Sequence, residues 1–314
     1  MHNLADRFAN SNIFLEHVHE KGKTIVEPIK HMQIFLWYAG HTSSYADVAD
    51  RFNVTVSTLF AIIGRMNQFF DSIAANVIKW PSPQQRATTK EKIFKQSGFP
   101  GVIGFIDGTH IRIDRPTENQ ESYCNRKHYH SVQAQIICDD YCKIIDCFIG
   151  YPGSVHDARV FQSSFIFPQL QELCQDGHLL GDSAYPCLYT CLTPFKDNGH
   201  LTPMQLKYNK IHNSLRIKVE HTNGLLKQRF RQLYHIKLRK IDRIVGLIKS
   251  CCVLHNLCHI TDKQIFDSEH NSLDSSTTDE NLDHDEGASG GTHQYGNTGT
   301  SKRNSIAHSL SQKH

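Results

Sequence analysis

The chain has 314 residues, of which 39% are hydrophobic, so it is long enough for two domains and apolar enough to form a packed core. No segment approaches the roughly 18 consecutive apolar residues that a membrane span needs, and the first residues lack the apolar stretch of a signal peptide. Ten cysteines in a chain of this length without an export signal predict a reduced, intracellular protein rather than a disulfide scaffold.

The net charge of +3 conceals two segments of opposite sign. Residues 207–249 contain 12 Lys or Arg and only two acids, Glu220 and Asp242, whereas residues 267–286 contain eight acids and no Lys or Arg. A basic helical segment beside an acidic one indicates an anionic partner, most simply nucleic acid. The alternative is a solvated basic surface, but the segment surrounds Glu220, a candidate catalytic acid, and we therefore favour nucleic acid.

Residues 1–95 are predicted to form a helical region. Within it, the spacing of apolar residues predicts two short helices over 44–52 and 57–66, joined by a turn at 53–55. Two helices joined in this way form the helix-turn-helix pattern. In DNA-binding versions the second helix enters the major groove, where Arg65 would contact the DNA. The alternative is a helical bundle that does not contact DNA.

The pattern changes from helices to strands after Pro100. Runs of apolar residues predict four strands, over 102–106, 132–137, 143–149 and 178–181. A helix beginning at Asp157 separates the third strand from the fourth. This order of strand, strand, strand, helix and strand, followed by further helices, is that of a ribonuclease-H-like α/β core. The predicted core comprises residues 96–262.

Two helices are predicted at the end of the core, over 214–233 and 241–260. Residues 263–314 are rich in Ser, Asp, Gly, Asn, Thr and His and contain few large apolar residues. Such a composition cannot bury enough apolar surface to offset the entropy of ordering the chain. We therefore predict a disordered tail over 263–314.

The first of these helices has a distinctive face. Glu220, Gly224, Lys227 and Arg231 recur at helical spacing and are predicted to share one side. A glycine in a helix interior costs about 1 kcal/mol, so Gly224 indicates close approach by another backbone or by a nucleic-acid strand. Lys227 and Arg231 are predicted to contact DNA phosphates.

Four short acidic motifs follow one another along the predicted core. They occupy residues 104–110, 153–157, 180–185 and 218–221. Their carboxylates are those of Asp107, Asp157, Asp182 and Glu220. Three lie at strand ends or strand-to-helix turns and the fourth lies on the basic helix. Carboxylates hold hard cations such as Mg²⁺, and two such ions about 4 Å apart drive in-line phosphoryl transfer. The pattern predicts a metal-dependent nuclease or DNA strand-transfer enzyme.

The motifs are more specific in combination than singly. They are Ile-Asp-Gly-Thr-His at 106–110, Tyr-Pro-Gly-Ser-Val-His-Asp-Ala-Arg-Val at 151–160, Gly-Asp-Ser-Ala-Tyr-Pro at 181–186, Val-Glu-His-Thr-Asn-Gly-Leu-Leu-Lys-Gln-Arg-Phe at 219–230 and Leu-His-Asn at 254–256. The set resembles the PIF/Harbinger transposases and their domesticated relatives, the HARBI-type nucleases. The resemblance extends over roughly residues 25–262.

The resemblance implies a DDE-type endonuclease with a ribonuclease-H-like fold, a hydrolase of phosphodiester bonds that uses Mg²⁺ or Mn²⁺. Asp107 matches the first acid of the family and Glu220 the last. The family's middle acid can be matched to either of two residues, Asp157 or Asp182. Asp157 lies in the family's Gly-Ser-x-x-Asp motif, although an Asp at a helix start usually serves as a cap. Asp182 ends the fourth strand, where the topology expects a ligand. We keep all four acids as candidate catalytic and metal-binding residues.

The resemblance also implies a location in the nucleus, with the cytoplasm as a second location, and a separate Myb/SANT-like partner protein. A homodimer is expected because transposases act on two DNA ends.

The main rival to a nuclease is a DNA-binding adaptor of transposon origin that no longer cuts. An RNA-directed nuclease and a carbohydrate hydrolase are further rivals, the latter because it also uses paired acids. A lesser alternative is a zinc site formed by Cys252, His255 and His259 on one helix face.

Overall fold

The computed structural model of the protein describes residues 2–18, 25–269 and 296–312. Within them the α-helices are α1 (His2–Ala9), α2 (Asn12–Val18), α3 (Pro28–Gly40), α4 (Tyr45–Arg51), α5 (Val56–Val77), α6 (Pro83–Ser97), α7 (Asp157–Ser163), α8 (Leu170–Cys174), α9 (Pro203–Arg229), α10 (Ile241–Glu269) and α11 (Gly296–Gln312). None of the described helices is both long enough and apolar enough to cross a membrane.

One mixed sheet lies at the centre of the protein. Its strands are β1 (Val102–Arg112), β2 (Ser131–Cys138), β3 (Ile144–Pro152), β4 (His178–Leu180) and β5 (Cys191–Leu192), and they lie in the order β3-β2-β1-β4-β5. The first three strands pair antiparallel, whereas β4 is parallel to β1 and β5 is parallel to β4. The four predicted strands and the helix before the fourth are confirmed, and with them the α/β class. The first strand continues past its predicted end at residue 106 to Arg112, so the prediction that Asp107 lies at a strand end is wrong. The fifth strand has only two residues, too few to produce a recognisable sequence pattern.

The predicted pair of short helices near the N-terminus corresponds to α4 and α5. Ser44 caps α4 in a capping box with Asp47, and Thr55 caps α5 through the backbone N–H of Thr58. Between the helices, Asn53 has a positive φ of 47°, which allows the sharp turn. The second helix continues to Val77 because its apolar positions keep facing the core. Its entry into a DNA groove stays a prediction.

The N-terminal helices and the sheet share one apolar core. The core extends from Phe8 and Phe35 through Ile136 on β2 to Leu226 on α9 and Ile248 on α10. The predicted domain boundary at residue 95 lies inside α6, which packs against β1. The helical region is therefore built onto the face of the α/β core.

The prediction of disorder over 263–314 is wrong for residues 263–269, which belong to α10, and for residues 296–312, which form α11. Three apolar side chains, Ile306, Ala307 and Leu310, are spaced along one face of α11 and are buried against a cluster that includes Phe195 and Tyr208. A short apolar stripe is enough to stabilise α11 because it packs against an apolar surface of the core. Residues 270–295, which also belong to the predicted tail, lie outside the described residues.

Candidate active site

Asp107 lies in the middle of β1, the central strand of the sheet. The next residue, Gly108, has no side chain, and a Cβ atom added there would lie 2.6 Å from Oδ1 of Asp157. The Asp-Gly pair of the first motif therefore has a physical reason: the glycine makes room for a second carboxylate beside the strand that holds the first.

Asp157 is the first residue of α7 and does not cap it. The N-cap residue is His156, which makes no side-chain capping bond. Instead, Oδ1 of Asp157 accepts a hydrogen bond from Nε2 of Gln133 on β2 at 3.2 Å. The interpretation of Asp157 as a helix cap is therefore wrong, because its carboxylate faces the sheet.

Asp182 lies beside Asp107 at the end of a parallel strand pair. Phe105 on β1 pairs with Leu180 on β4, and each acid follows two residues after its paired residue. Because parallel strands run in the same direction, both acids lie towards the same end of the two paired segments. Oδ1 of Asp182 also accepts a hydrogen bond from the backbone N–H of Ala184 at 3.0 Å, which orients the carboxylate.

Glu220 reaches this region from α9, which packs across β1 and β2. An arginine one turn earlier on the same helix, Arg216, lies between the acids. Its Nη2 is 3.1 Å from Oδ1 of Asp107 and its Nη1 is 3.4 Å from Oε1 of Glu220. The Arg216 and Asp107 side chains are 12% and 19% exposed, whereas that of Glu220 is 48% exposed. Asn223 donates to the second oxygen of Asp107 at 2.9 Å.

The other three acids act electrostatically on Asp107. The pKa of Asp107 is raised to about 7, mainly because the carboxyl is buried. The positive charge of Arg216 lowers this pKa, whereas the negative charges of Asp182, Asp157 and Glu220 raise it. The structure thus brings the four predicted acids into one cluster that contains more negative charge than Arg216 neutralises.

Arg216 is the residue of this cluster that sequence reasoning missed. It was counted only as part of a basic segment. The available signal was its position four residues before Glu220, since side chains at that spacing are neighbours on a helix.

Among the described residues, no group of three or more His, Cys, Asp or Glu is arranged to hold a metal ion. In the cluster, the guanidinium of Arg216 contacts both Asp107 and Glu220.

Lys227 faces the sheet rather than the solvent. Its Nζ donates to Oγ1 of Thr109 at 2.7 Å and to the carbonyl oxygen of His110 at 3.1 Å. Burial lowers the pKa of Lys227, and the negative charge of Asp107 raises it. Lys227 therefore ties α9 to β1. Arg231 is exposed in the 3₁₀ turn that follows α9. The prediction that Glu220, Gly224, Lys227 and Arg231 share one helix face is therefore wrong, because Lys227 faces the sheet and Arg231 lies beyond the end of the helix. The DNA contacts predicted for both residues stay predictions.

Arg65 also has an intramolecular partner. Its guanidinium donates from Nε and Nη2 to Nε2 of His31 on α3, at 3.2 and 3.1 Å. Burial lowers the pKa of His31 to about 4, so the ring is neutral at pH 7 and accepts these bonds. Arg65 thus joins α5 to α3, and its predicted contact with DNA stays a prediction.

The contacts of Cys252 and His255 do not support the alternative zinc site on α10, and the side chain of its third residue, His259, lies outside the described residues. Cys252 is fully buried in the apolar core. The ring of His255 contacts the carbonyl oxygen of Cys142 at 2.9 Å and Nη1 of Arg229 at 3.3 Å. These contacts give both side chains structural roles.

Comparison with known proteins supports the interpretation of the motifs. The family model described as "DDE superfamily endonuclease" matches residues 106–256, which include Asp107, Asp157, Asp182 and Glu220. "Putative nuclease HARBI1" of Rattus norvegicus is 29% identical over 217 residues, which cover 67% of this chain and 61% of that protein. "Protein ALP1-like" of Arabidopsis thaliana is 26% identical over 252 residues, 75% of this chain and 60% of that protein.

A bacterial relative is similar over a shorter segment. "Probable transposase for insertion sequence element IS702" of Microchaete diplosiphon is 31% identical over 142 residues, 44% of this chain and 50% of that protein. No solved structure matches the chain. The chain spans about 61% of the length of the first of these relatives.

Proposed function

Because the chain belongs to the Harbinger-type DDE endonuclease family, we propose that it is a metal-dependent DNA endonuclease with a ribonuclease-H-like core. The observation that supports this proposal best is the convergence of Asp107, Asp157, Asp182 and Glu220 at the sheet and α9. The strand order β3-β2-β1-β4-β5 supports the assignment of the core, since β1, which contains Asp107, lies parallel to β4, which Asp182 follows.

The chemistry of the cluster fits a hard divalent cation. Carboxylate oxygens are the protein ligands that Mg²⁺ and Mn²⁺ prefer. Burial is the main cause of the raised pKa of Asp107, and the negative charges of Asp182, Asp157 and Glu220 raise it further. We propose that Asp107, Asp182 and Glu220 hold the metal, with Asp157 beside them.

Each side chain has a role in the proposed reaction. Divalent metal, when bound, would supply an activated water and neutralise the charge on the leaving 3′-oxygen. Asn223 and Arg216 hold Asp107 in one orientation through both of its oxygens. Glu220 is more exposed than Asp107, at 48% against 19%, and would face the side from which DNA arrives. Lys227 fixes the distance between α9 and β1, and therefore between Glu220 and Asp107.

The substrate that we propose is duplex DNA. The support is the charge of residues 207–249, with 12 Lys or Arg against two acids, combined with the helix pair α4–α5. We also propose a nuclear location, a Myb/SANT-like partner protein that assists DNA binding, and a homodimer that holds two DNA ends. These three proposals rest on family resemblance.

A DNA-binding adaptor that no longer cuts is the second candidate. The observation that favours it is the pairing of Arg216 with both Asp107 and Glu220, which leaves these acids satisfied without metal. An adaptor would keep the basic surface and the fold while losing the need for an open metal site.

The test is cleavage of a labelled DNA duplex with Mg²⁺ or Mn²⁺, comparing the wild type with Asp107→Asn. Nicked product from the wild type alone would support the nuclease. DNA binding without cleavage by either protein, in the presence of the Myb/SANT-like partner and both metals, would favour the adaptor. A thermal melt of both proteins checks that the substitution leaves the fold intact.

A further inference from the structure

The outer face of α9 contains a glycine without a packing role. The inner face buries Val219, Asn223 and Leu226 against the sheet and the core. On the outer face, Gly224 is exposed in the interior of the 27-residue helix. No described atom lies within 4 Å of the position that a Cβ would occupy there.

Several of the other described glycines have an intramolecular reason. A Cβ at Gly108 would lie 2.6 Å from Asp157, and one at Gly153 would lie 2.1 Å from the Ser131 hydroxyl. Within described helices, a Cβ at Gly246 would lie 3.2 Å from Asn67. Gly224 also has no positive φ that would favour glycine. It therefore destabilises α9 by about 1 kcal/mol relative to alanine, and nothing in the described residues offsets that cost.

The location of Gly224 suggests what it accommodates. Residues four apart on a helix are neighbours on one face, so Gly224 lies one turn beyond Glu220. The next residue along this face is Gln228, and Arg231 follows in the 3₁₀ turn after the end of α9; both are exposed. A bare stretch of helix backbone thus lies between the candidate catalytic acid and an exposed cation.

We propose that Gly224 is a contact site for the sugar–phosphate backbone of the DNA strand that passes Glu220. This inference rests on the proposed function. The absence of a side chain lets the strand lie directly on the helix, so that the phosphate next to the scissile one packs against Gly224 while Gln228 and Arg231 contact the strand further along. A side chain at residue 224 would hold the strand away from Glu220.

The test combines two measurements on Gly224→Ala and Gly224→Gln. Both substitutions should raise the melting temperature by about 2–4 °C, because they remove a helix-destabilising glycine. Both should weaken binding of a short labelled duplex of mixed sequence at low salt, and Gly224→Gln should weaken it by at least about tenfold. Higher stability together with weaker DNA binding is a combination that a purely structural role would not produce.

The matched control is Ala87→Gln, which adds the same side chain at an exposed position of α6. It should leave the affinity for the duplex unchanged. If Gly224→Gln binds DNA like the wild type, the inference about Gly224 is overturned while the nuclease proposal stands. If Gly224→Ala lowers the melting temperature, residue 224 is packed within the protein and the inference also fails. If the wild type neither binds nor cuts duplex DNA, the proposed function fails together with the inference.

Discussion

Two arginines of this protein face inward, and their surroundings differ. Arg216 on α9 lies among carboxylates and contacts Asp107 and Glu220. Arg65 on α5 contacts the neutral ring of His31 within an aromatic cluster. The first arginine balances charge that a metal ion can also balance. The second donates hydrogen bonds to the imidazole of His31, a polar group in an otherwise apolar region. The comparison teaches that another cation can replace a buried arginine that only balances charge, whereas none can replace one that donates specific hydrogen bonds.

The largest expected effect concerns the acid that Arg216 contacts on its own helix. Glu220→Gln should lower metal-dependent cleavage by at least about a thousandfold, because the amide cannot replace the carboxylate as a metal ligand. Since Glu220 is 48% exposed, the fold and the affinity for DNA should be unchanged. Single-turnover cleavage and a binding titration measure the two properties separately. A variant that cuts at the wild-type rate would remove Glu220 from the active site.

The second prediction contrasts the two arginines directly. Arg216→Gln should lower the free energy of unfolding by about 3 kcal/mol in a chelator, because Asp107 is left buried near three other acids. Arg65→Gln should lower it by about 1 kcal/mol, the usual contribution of a hydrogen bond. Denaturant unfolding provides both values.

Metal should separate the two variants further. Adding Mn²⁺ should restore much of the stability lost in Arg216→Gln, because the folded carboxylates bind the ion. The loss in Arg65→Gln should be unaffected. Equal responses of both variants to Mn²⁺ would show that Arg216 does not compete with metal for the acids.

The third prediction concerns pH in the N-terminal region. The pKa of His31 is lowered to about 4 from its usual value of 6.5, so below pH 6.5 the unfolded chain binds a proton that the folded protein does not. Stability is therefore lost as the pH falls. Between pH 6.5 and 5 this residue should cost about 2 kcal/mol, at 1.36 kcal/mol for each pH unit.

The measurement is denaturant unfolding at several pH values for the wild type and His31→Gln. Other buried histidines titrate over the same range in both proteins, so the difference between the two curves isolates His31. A constant difference between pH 7 and pH 5 would contradict the lowered pKa.

The sequence predicted features that depend on local patterns. The order of the strands and the four acids follow from apolar runs and from the residues that end them. The side-chain directions of Arg216 and Arg65 depend on which elements pack nearby, and no local pattern contains that information. The same holds for α11, whose three buried apolar residues become a stable face only against Phe195 and Tyr208. Spacing alone could have indicated the Arg216–Glu220 pair, since the two residues are one turn apart.

The smallest expected effect distinguishes two cations that the sequence placed on one face of α9. Arg231 is exposed, whereas Lys227 bonds to Thr109 and His110. Arg231→Ala should weaken DNA binding a few-fold and reduce the slope of log affinity against log salt by about 1, the value for one lost phosphate contact. Its melting temperature should not change. Lys227→Ala should instead lower the melting temperature, because α9 loses its tie to β1. Binding titrations over a range of salt concentrations, with parallel melts, test both expectations. If Lys227→Ala changes the salt slope while Arg231→Ala does not, the phosphate path runs between α9 and β1 rather than over the exposed end of the helix.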